Sequence, residues 1–351
     1  MKSITVGVSG INAVDNPGPG VGVARALKED TDLDVKVVGL AYDAMETGIF
    51  MDWLFDKSYV MPYPSGEMEA YIQRLLYIKE SFGLDYVIPS LDVELPIYTR
   101  FADELAQAGI HCLVPTRTQF KLRGKDRLTA VAERIGIRVP RTEVVTTIDD
   151  LYRALDTIGW PAMIKGAFYQ ACRAHTTQQA LACYHNIVAE WGYPVIVQQV
   201  VTGDELNVVG VGDGQGGCLG LVGIKKMGTT SLGKIWTGVT IRNQAMLDAA
   251  RAFIKEYKWR GAFELECMAQ GDDIFLIEIN PRLPAWSYFA AGLGINLPAN
   301  MVRQAFGLPV NHNTDYEPGK LYIRYTYEVI SDSVPFQHMM TKGEHANDTQ
   351  L

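Results

Sequence analysis

Phe275-Leu276-Ile277-Glu278-Ile279-Asn280-Pro281-Arg282 is an apolar run that carries polar groups at its end. Its hydrophobicity predicts a buried strand, and side chains two apart on a strand share a face. Glu278 and Asn280 therefore point the same way, and Arg282 continues their line past Pro281. Oxygen donors of this kind suit Mg²⁺, which takes one or two carboxylates and completes its shell with water and nucleotide phosphates. Arg282 adds a planar fork for phosphate oxygens. Upstream, Gly261-Ala262-Phe263-Glu264-Leu265-Glu266-Cys267-Met268 alternates as a second strand, with Gly271-Asp272-Asp273 as the turn between the two. The hairpin folds Glu266 or Glu264 against Glu278, and two carboxylates buried together need a cation or a proton between them. Alternating Glu residues usually mark a solvated sheet edge, but the FLIEIN run is too apolar for one.

The string IEINPR after the GAFELEC strand resembles the metal-binding hairpin of ATP-grasp ligases, a family that includes carbamoyl phosphate synthetase and biotin carboxylase. The resemblance implies that Glu266 and Glu278 bridge Mg²⁺ ions, or Mn²⁺ in their place. It also implies that Asn280 completes the second ion's shell and that Arg282 contacts the transferred phosphoryl group. In order along 4–329, further positions match. Lys125, within Gly124-Lys125-Asp126-Arg127, matches the first nucleotide lysine. Lys165, presented by the strand 160–166, would meet the α- and β-phosphates. The apolar strand 195–201 matches the hinge whose backbone holds the adenine edge, which places Gln198, Gln199 and Val201 at the base. Glu205 matches the acid on the ribose hydroxyls. One of Lys225, Lys226 and Lys234 is expected to face phosphate, with Lys225 chosen for that role.

The implied activity is ATP-dependent ligation through an acyl phosphate, joining a small-molecule or peptide carboxylate to an amine, with ATP and Mg²⁺ as cofactors and a homodimer as one assembly. One departure stands out. Where many of these enzymes close a loop of glycines and serines over phosphate, this chain has Gly166-Ala167-Phe168-Tyr169-Gln170-Ala171-Cys172-Arg173. Arg173 or His175 would then replace the missing amides, and an ATP-binding or regulatory module without catalysis stays open.

Composition fits such an enzyme. The chain has 351 residues, 48% hydrophobic and 21% charged, as in a globular protein of two or three domains. A formal charge of −8 argues against a nucleic-acid partner, and no run is long and apolar enough to span a membrane. The N-terminus reads as a first strand and not as a signal peptide. Five cysteines without C-x-x-C spacing point to reduced thiols and a cytoplasmic setting.

The first hundred residues alternate strands (4–8, 35–41, 86–89, 112–114) with helices (21–28, 67–82, 95–107), a βαβ succession that builds a parallel sheet. The glycine-rich stretch 10–22, with Asp43 about 20 residues on, raises a dinucleotide-dependent oxidoreductase as a rival. Its glycines are spaced G-x-G-x-G and its loop is too long for that turn. Asn12, Asp15, Asn16, Asp92 and Glu94 are candidates for substrate contacts. Gly228-Thr229-Thr230-Ser231-Leu232-Gly233-Lys234-Ile235 nearly spells a P-loop but runs into a strand pattern, so it reads as a hairpin loop. A charged helix is expected over 120–135, a helix over 297–306 and a closing strand over 320–329. The fold class is thus α/β and α+β: a Rossmann-like N-terminal domain (1–118), then an ATP-grasp fold of two subdomains (lid, 119–196; metal and nucleotide, 197–332). A disordered tail (333–351) follows.

Overall fold

A computed structural model describes residues 3–14, 17–125, 127–166, 170–231 and 233–347. Its N-terminal part contains strands β1 (Ile4–Ser9), β2 (Val35–Ala41), β3 (Lys57–Val60) and β4 (Tyr86–Ile88), parallel in the order β3-β2-β1-β4. Helices Gly20–Lys28, Met68–Phe82 and Leu95–Gln107 connect or flank them. Residues 112–114 form no strand; only an isolated bridge joins His111 to Tyr86.

The glycines of 10–22 have a steric cause. A Cβ on Gly18 would lie 2.2 Å from the Gly10 carbonyl oxygen, and one on Gly20 would lie 2.2 Å from that of Ser9. The chain doubles back on the end of β1, and the first amide of the helix, Gly20, donates to the Gly10 carbonyl. These residues close a backbone fold rather than cradle a dinucleotide. Asp15 and Asn16 lie outside the described residues.

The middle of the chain builds a four-stranded antiparallel sheet from β5 (Thr142–Val145), β6 (Ala162–Gly166), β7 (Ala171–Ala174) and β8 (Val195–Gln199), ordered β5-β8-β6-β7. The helix expected over 120–135 is broken. Short turns at Arg117–Phe120 and Lys121–Arg123 end at Gly124, whose ψ of 133° is not helical, and Leu128–Ile135 forms the second piece. Lys125 sits in the break. Cys172 on β7 and Cys183 on the helix Thr177–Trp191 are joined as a disulfide, a correction to the expected free thiols. Cys112, Cys218 and Cys267 are free.

The largest sheet, antiparallel, comprises β9 (Asp204–Asp213), β10 (Cys218–Thr229), β11 (Ile235–Thr240), β12 (Arg260–Gln270), β13 (Asp273–Asn280) and β14 (Leu321–Ile323), ordered β13-β12-β9-β10-β11-β14. The P-loop look-alike falls on the β10–β11 connection, with Leu232 outside the described residues. The closing strand over 320–329 shrinks to β14.

Residues 334–347 correct the expected disordered tail. Val334–Lys342 is helical with Met339 buried, and β15 (Glu344–Ala346) pairs antiparallel with β3. Arg74 donates to the Gly343 carbonyl at 2.7 Å and Asn347 donates to that of Phe55 at 2.7 Å. Contacts nearly the whole chain away hold this segment, so the polar composition from Lys342 on misleads. Among the described residues no helix is long and apolar enough to cross a membrane.

Glu94, expected near substrate, is fully buried instead. Ser9 Oγ donates to Glu94 Oε2 at 2.5 Å, the amides of Ser90 and Leu91 donate at 3.1 Å, and the Tyr42 hydroxyl donates to Oε1. Burial pushes its carboxyl up to about 7 against those donors. With a folded value above the ordinary 4.5, its contribution to stability is fully present below that pH and is lost as pH rises through about 7. Glu94→Gln is expected to flatten this portion of the stability curve, read by urea melts across that range.

Candidate functional site

The β12–β13 ladder sets Glu264 opposite Asn280 and Glu266 opposite Glu278, then resumes at Cys267 and Leu276, which leaves Ile277 as a bulge. The next strand, β9, sets Asn207 opposite Glu266. The acidic groups differ sharply in their partners. Glu264 accepts from Asn207 Nδ2 and Trp286 Nε1, each at 2.7 Å, and from Asn280 Nδ2 at 3.0 Å. Glu266 accepts from Asn280 Nδ2 and Lys226 Nζ, each at 2.9 Å. No hydrogen-bond donor among the described residues reaches Glu278.

Burial, and then the neighbouring Glu266 charge, raise the Glu278 carboxyl above its usual range, although Lys125 and Lys165 oppose the shift. Glu264 is pushed up to about 7 by burial and by Glu266. Asn207 Oδ1 is buried without a hydrogen-bond partner. An under-donated carboxylate, a second one opposite it and an orphaned amide oxygen form a hard oxygen set that fits a divalent cation. No cluster of three or more His, Cys, Asp or Glu side chains converges among the described residues. Such an ion would therefore need phosphate oxygens or water to fill its shell, as Mg²⁺ does.

Lysines face this set. Lys165 Nζ donates to Gln198 Oε1 at 2.7 Å, and Lys125 Nζ donates to the Gly166 carbonyl at 2.6 Å. Burial lowers both ammonium groups, Lys125 to about 8 with Lys165 adding to the shift, while Glu278 pulls each back up. Lys226 goes the other way: burial lowers it, but Glu266 and Glu264 together raise it above its usual range.

Lys225 does not join them. It sits opposite Leu206 on β9 and pairs with Asp204 at 2.7 Å, while Lys226 falls on the face of Glu205 and Asn207. Alternation makes the two lysines exclusive, and the register selects Lys226. Asp92 is likewise no free substrate contact; it accepts from Arg123 at 2.8 Å and from Arg282 at 2.7 Å. Arg282 is thereby tied to the loop after β4.

A cleft of about 490 Å³ separates the four-stranded sheet from the six-stranded one, within the range of small-ligand sites. Gln198, Gln199, Val201, Glu205, Lys165 and Glu266 line it, and so does Arg173. Lys125, Glu278, Asn280 and Arg282 stand outside that lining. Met163, Met268 and Ile277 supply apolar walls that the sequence did not single out. Simple alternation sends Ile277 to the face away from Glu278, and the bulge turns it inward. Asn207 could have been found from Glu205 by counting two along the strand.

No family model matches the chain. The arginine-specific carbamoyl phosphate synthase large chain of Bacillus subtilis is 22% identical over 221 residues, 60% of this chain and 21% of that protein. The carbamoyl phosphate synthase large chain of Methanospirillum hungatei is 24% identical over 217 residues, 56% of this chain and 20% of its own length. The chain thus spans about a fifth of these relatives. Among solved structures, the biotin carboxylase domain dimer of Hydrogenobacter thermophilus 2-oxoglutarate carboxylase, in complex with MgADP, ADP and bicarbonate, superposes with a TM-score of 0.69. It is 16% identical, and the match covers 92% of this chain and 74% of that one. N5-carboxyaminoimidazole ribonucleotide synthetase of Thermus thermophilus superposes at 0.65 with 18% identity, covering 90% and 81%. The chain therefore has a mixed α/β fold similar to that of the biotin carboxylase domain over 92% of its length.

Proposed function

We propose that this protein is an ATP-dependent, ADP-forming ligase that activates a carboxylate as an acyl phosphate and joins it to an amine. The observation that carries the reading is the arrangement of Lys165, Lys226 and Glu266 at a small-ligand cleft, with Glu278 opposite Glu266 in the ladder. MgADP in the H. thermophilus carboxylase structure supports it. Met163, Met268 and Ile277 would sandwich adenine against the backbone of 199–201, and Glu205 would take the ribose hydroxyls. Glu266, Glu278 and Asn280 would hold Mg²⁺, or Mn²⁺, which when bound neutralises charge on the β- and γ-phosphate oxygens. Lys125, Lys165 and Lys226 orient the phosphates, and Arg282 meets the transferred group.

A substrate carboxylate oxygen attacks the γ-phosphorus as its bond to the β–γ bridging oxygen breaks, and ADP leaves with that electron pair. The amine nitrogen then attacks the acyl carbon, and phosphate departs and takes up the proton the nitrogen loses. Positioning and charge neutralisation supply the catalysis, so no single general base is assigned. The N-terminal parallel sheet is read as Rossmann-like and as a wall of the acceptor site, the assembly as a homodimer, and the setting as cytoplasmic, where ATP is supplied.

Phosphate release from Mg²⁺-ATP, measured with malachite green across acid and amine panels, tests the reading. Acid-dependent release is expected. None on any panel, with ADP binding intact, would leave an ATP-binding module. Lys226→Ala is expected to lower turnover about a hundredfold, through loss of a charge-assisted contact of roughly 3 kcal/mol. Lys225→Ala is expected to stay within about threefold of the parent enzyme, as exposed ion pairs contribute little. Equal losses in the two variants would reverse the assignment.

A further inference from the structure

A second cavity, a groove of about 1600 Å³, lies between the N-terminal part and β14 with the chain that follows it. It is far larger than a bicarbonate ion needs, and its walls are aromatic. Phe50 and Trp53, after β2, face Tyr325 and Tyr327 across the opening, with the Trp53 and Tyr327 rings 6.5 Å apart and those of Tyr325 and Tyr327 5.9 Å apart. Trp53, Tyr325 and Tyr327 are 50%, 74% and 53% exposed, so these rings are open to a ligand and not spent on the core. Exposed apolar surface concentrated at one concave place marks a binding site.

One end of the groove is cationic. Arg324 lines it and donates to the Ala285 carbonyl at 2.6 Å, and Lys234 donates to the Pro17 carbonyl at 2.9 Å; Ala285 and Pro17 line the groove too. Three residues before Ala285, Arg282 brings a third positive charge. Burial, then Arg282 and Arg324, lower the Lys234 ammonium to about 8, and Asp92 opposes them. An anion at this end would add to the compensation that Asp92 already gives Arg282.

We propose that this groove is the acceptor-acid site, and that the acid it accepts carries a bulky aromatic or apolar body whose carboxylate lies at Lys234, Arg282 and Arg324. The inference rests on the ligase reading and narrows its substrate class. Arg282 lines neither cavity; it is paired with Asp92 at 2.7 Å and lies two residues past the strand that carries Glu278 and Asn280, so a carboxylate that reaches it stands beside the phosphate end of the nucleotide cleft. The apolar body occupies the aromatic walls and excludes water from the acyl phosphate. A free aromatic acid and the C-terminus of a short peptide share this chemistry.

The test uses the full chain with Mg²⁺-ATP, ADP release as the readout, and an excess of hydroxylamine as the amine to trap the acyl phosphate. Acetate, bicarbonate and glycine form one arm, indole-3-acetate and 3-phenylpropionate a second, and dipeptides ending in phenylalanine a third. The second or third arm is expected to exceed the first by about tenfold or more in kcat/KM, and which of the two does so identifies the source. Trp53→Ala and Tyr325→Asp are expected to raise the KM for the preferred acid by about tenfold while the Kd for MgADP, from calorimetry, is unchanged. Equal or better use of acetate or bicarbonate, or unchanged KM in both variants, overturns the proposal with the ligase reading intact. Failure to bind MgADP at all overturns the ligase reading, and this inference with it.

Discussion

Glu278→Gln is expected to cut Mg²⁺-ATP turnover by about a thousandfold or more, a loss on the order of 4 kcal/mol in transition-state stabilisation. The fold is expected to survive unharmed. Glu278 receives no hydrogen bond from the described residues, and burial together with Glu266 disfavours its charge. A neutral glutamine of the same shape removes a buried repulsion, so the melting temperature without ligand should hold or rise. Melting in excess Mg²⁺-ADP supplies the second readout: the wild-type protein gains stability from the ligand by mass action and the variant gains less. Retained turnover, or an equal ligand-induced shift in both proteins, would remove Glu278 from the metal set.

Local pattern was enough to read the β12–β13 hairpin because everything it needs lies within about 20 residues: two alternating strands, a Gly-Asp-Asp turn and a face chosen by period two. The same rule sets Leu276 on the face of Glu278 and Ile277 on the other, and it fails at both, since a bulge adds one residue and composition does not reveal it. Lys225 and Lys226 are adjacent and chemically identical, so only the pairing of β10 with β9 decides between them. Strands β5 and β7 escaped notice because each has four residues, mostly exposed or half-buried, with little hydrophobic signal. The segment 334–346 was misread for the opposite reason. From about Lys342 the residues are polar and charged enough to look unstructured, and the partners that order the segment, β3 and Arg74, lie far upstream. The glycines of 10–22 were visible, but their cause, carbonyl groups of β1 packed against the helix start, was not.

Glu264→Ala is expected to act in the reverse sense to Glu278→Gln, with a loss of about 3–4 kcal/mol of stability in urea melts at neutral pH. The side chain is 3% exposed and is the shared acceptor of Asn207, Asn280 and Trp286. Each buried donor left without a partner costs roughly 1–3 kcal/mol, and the cavity adds to that. Two effects limit the sum: Asn280 keeps its bond to Glu266, and the Glu264–Glu266 repulsion disappears. A loss below about 1 kcal/mol, the net contribution of one ordinary hydrogen bond, would show that water fills the gap and that Glu264 does not organise the site. Glu264→Gln distinguishes stability from function. Its remaining oxygen can still accept from Asn207 and Trp286, but its amide nitrogen confronts Asn280 Nδ2 and turns the Asn280 amide over. That rotation takes the Asn280 oxygen away from the position where it would meet an ion. The variant should therefore fold with a loss near 1 kcal/mol yet bind Mg²⁺-nucleotide about 10–100-fold more weakly, as substitutions behind a metal ligand do.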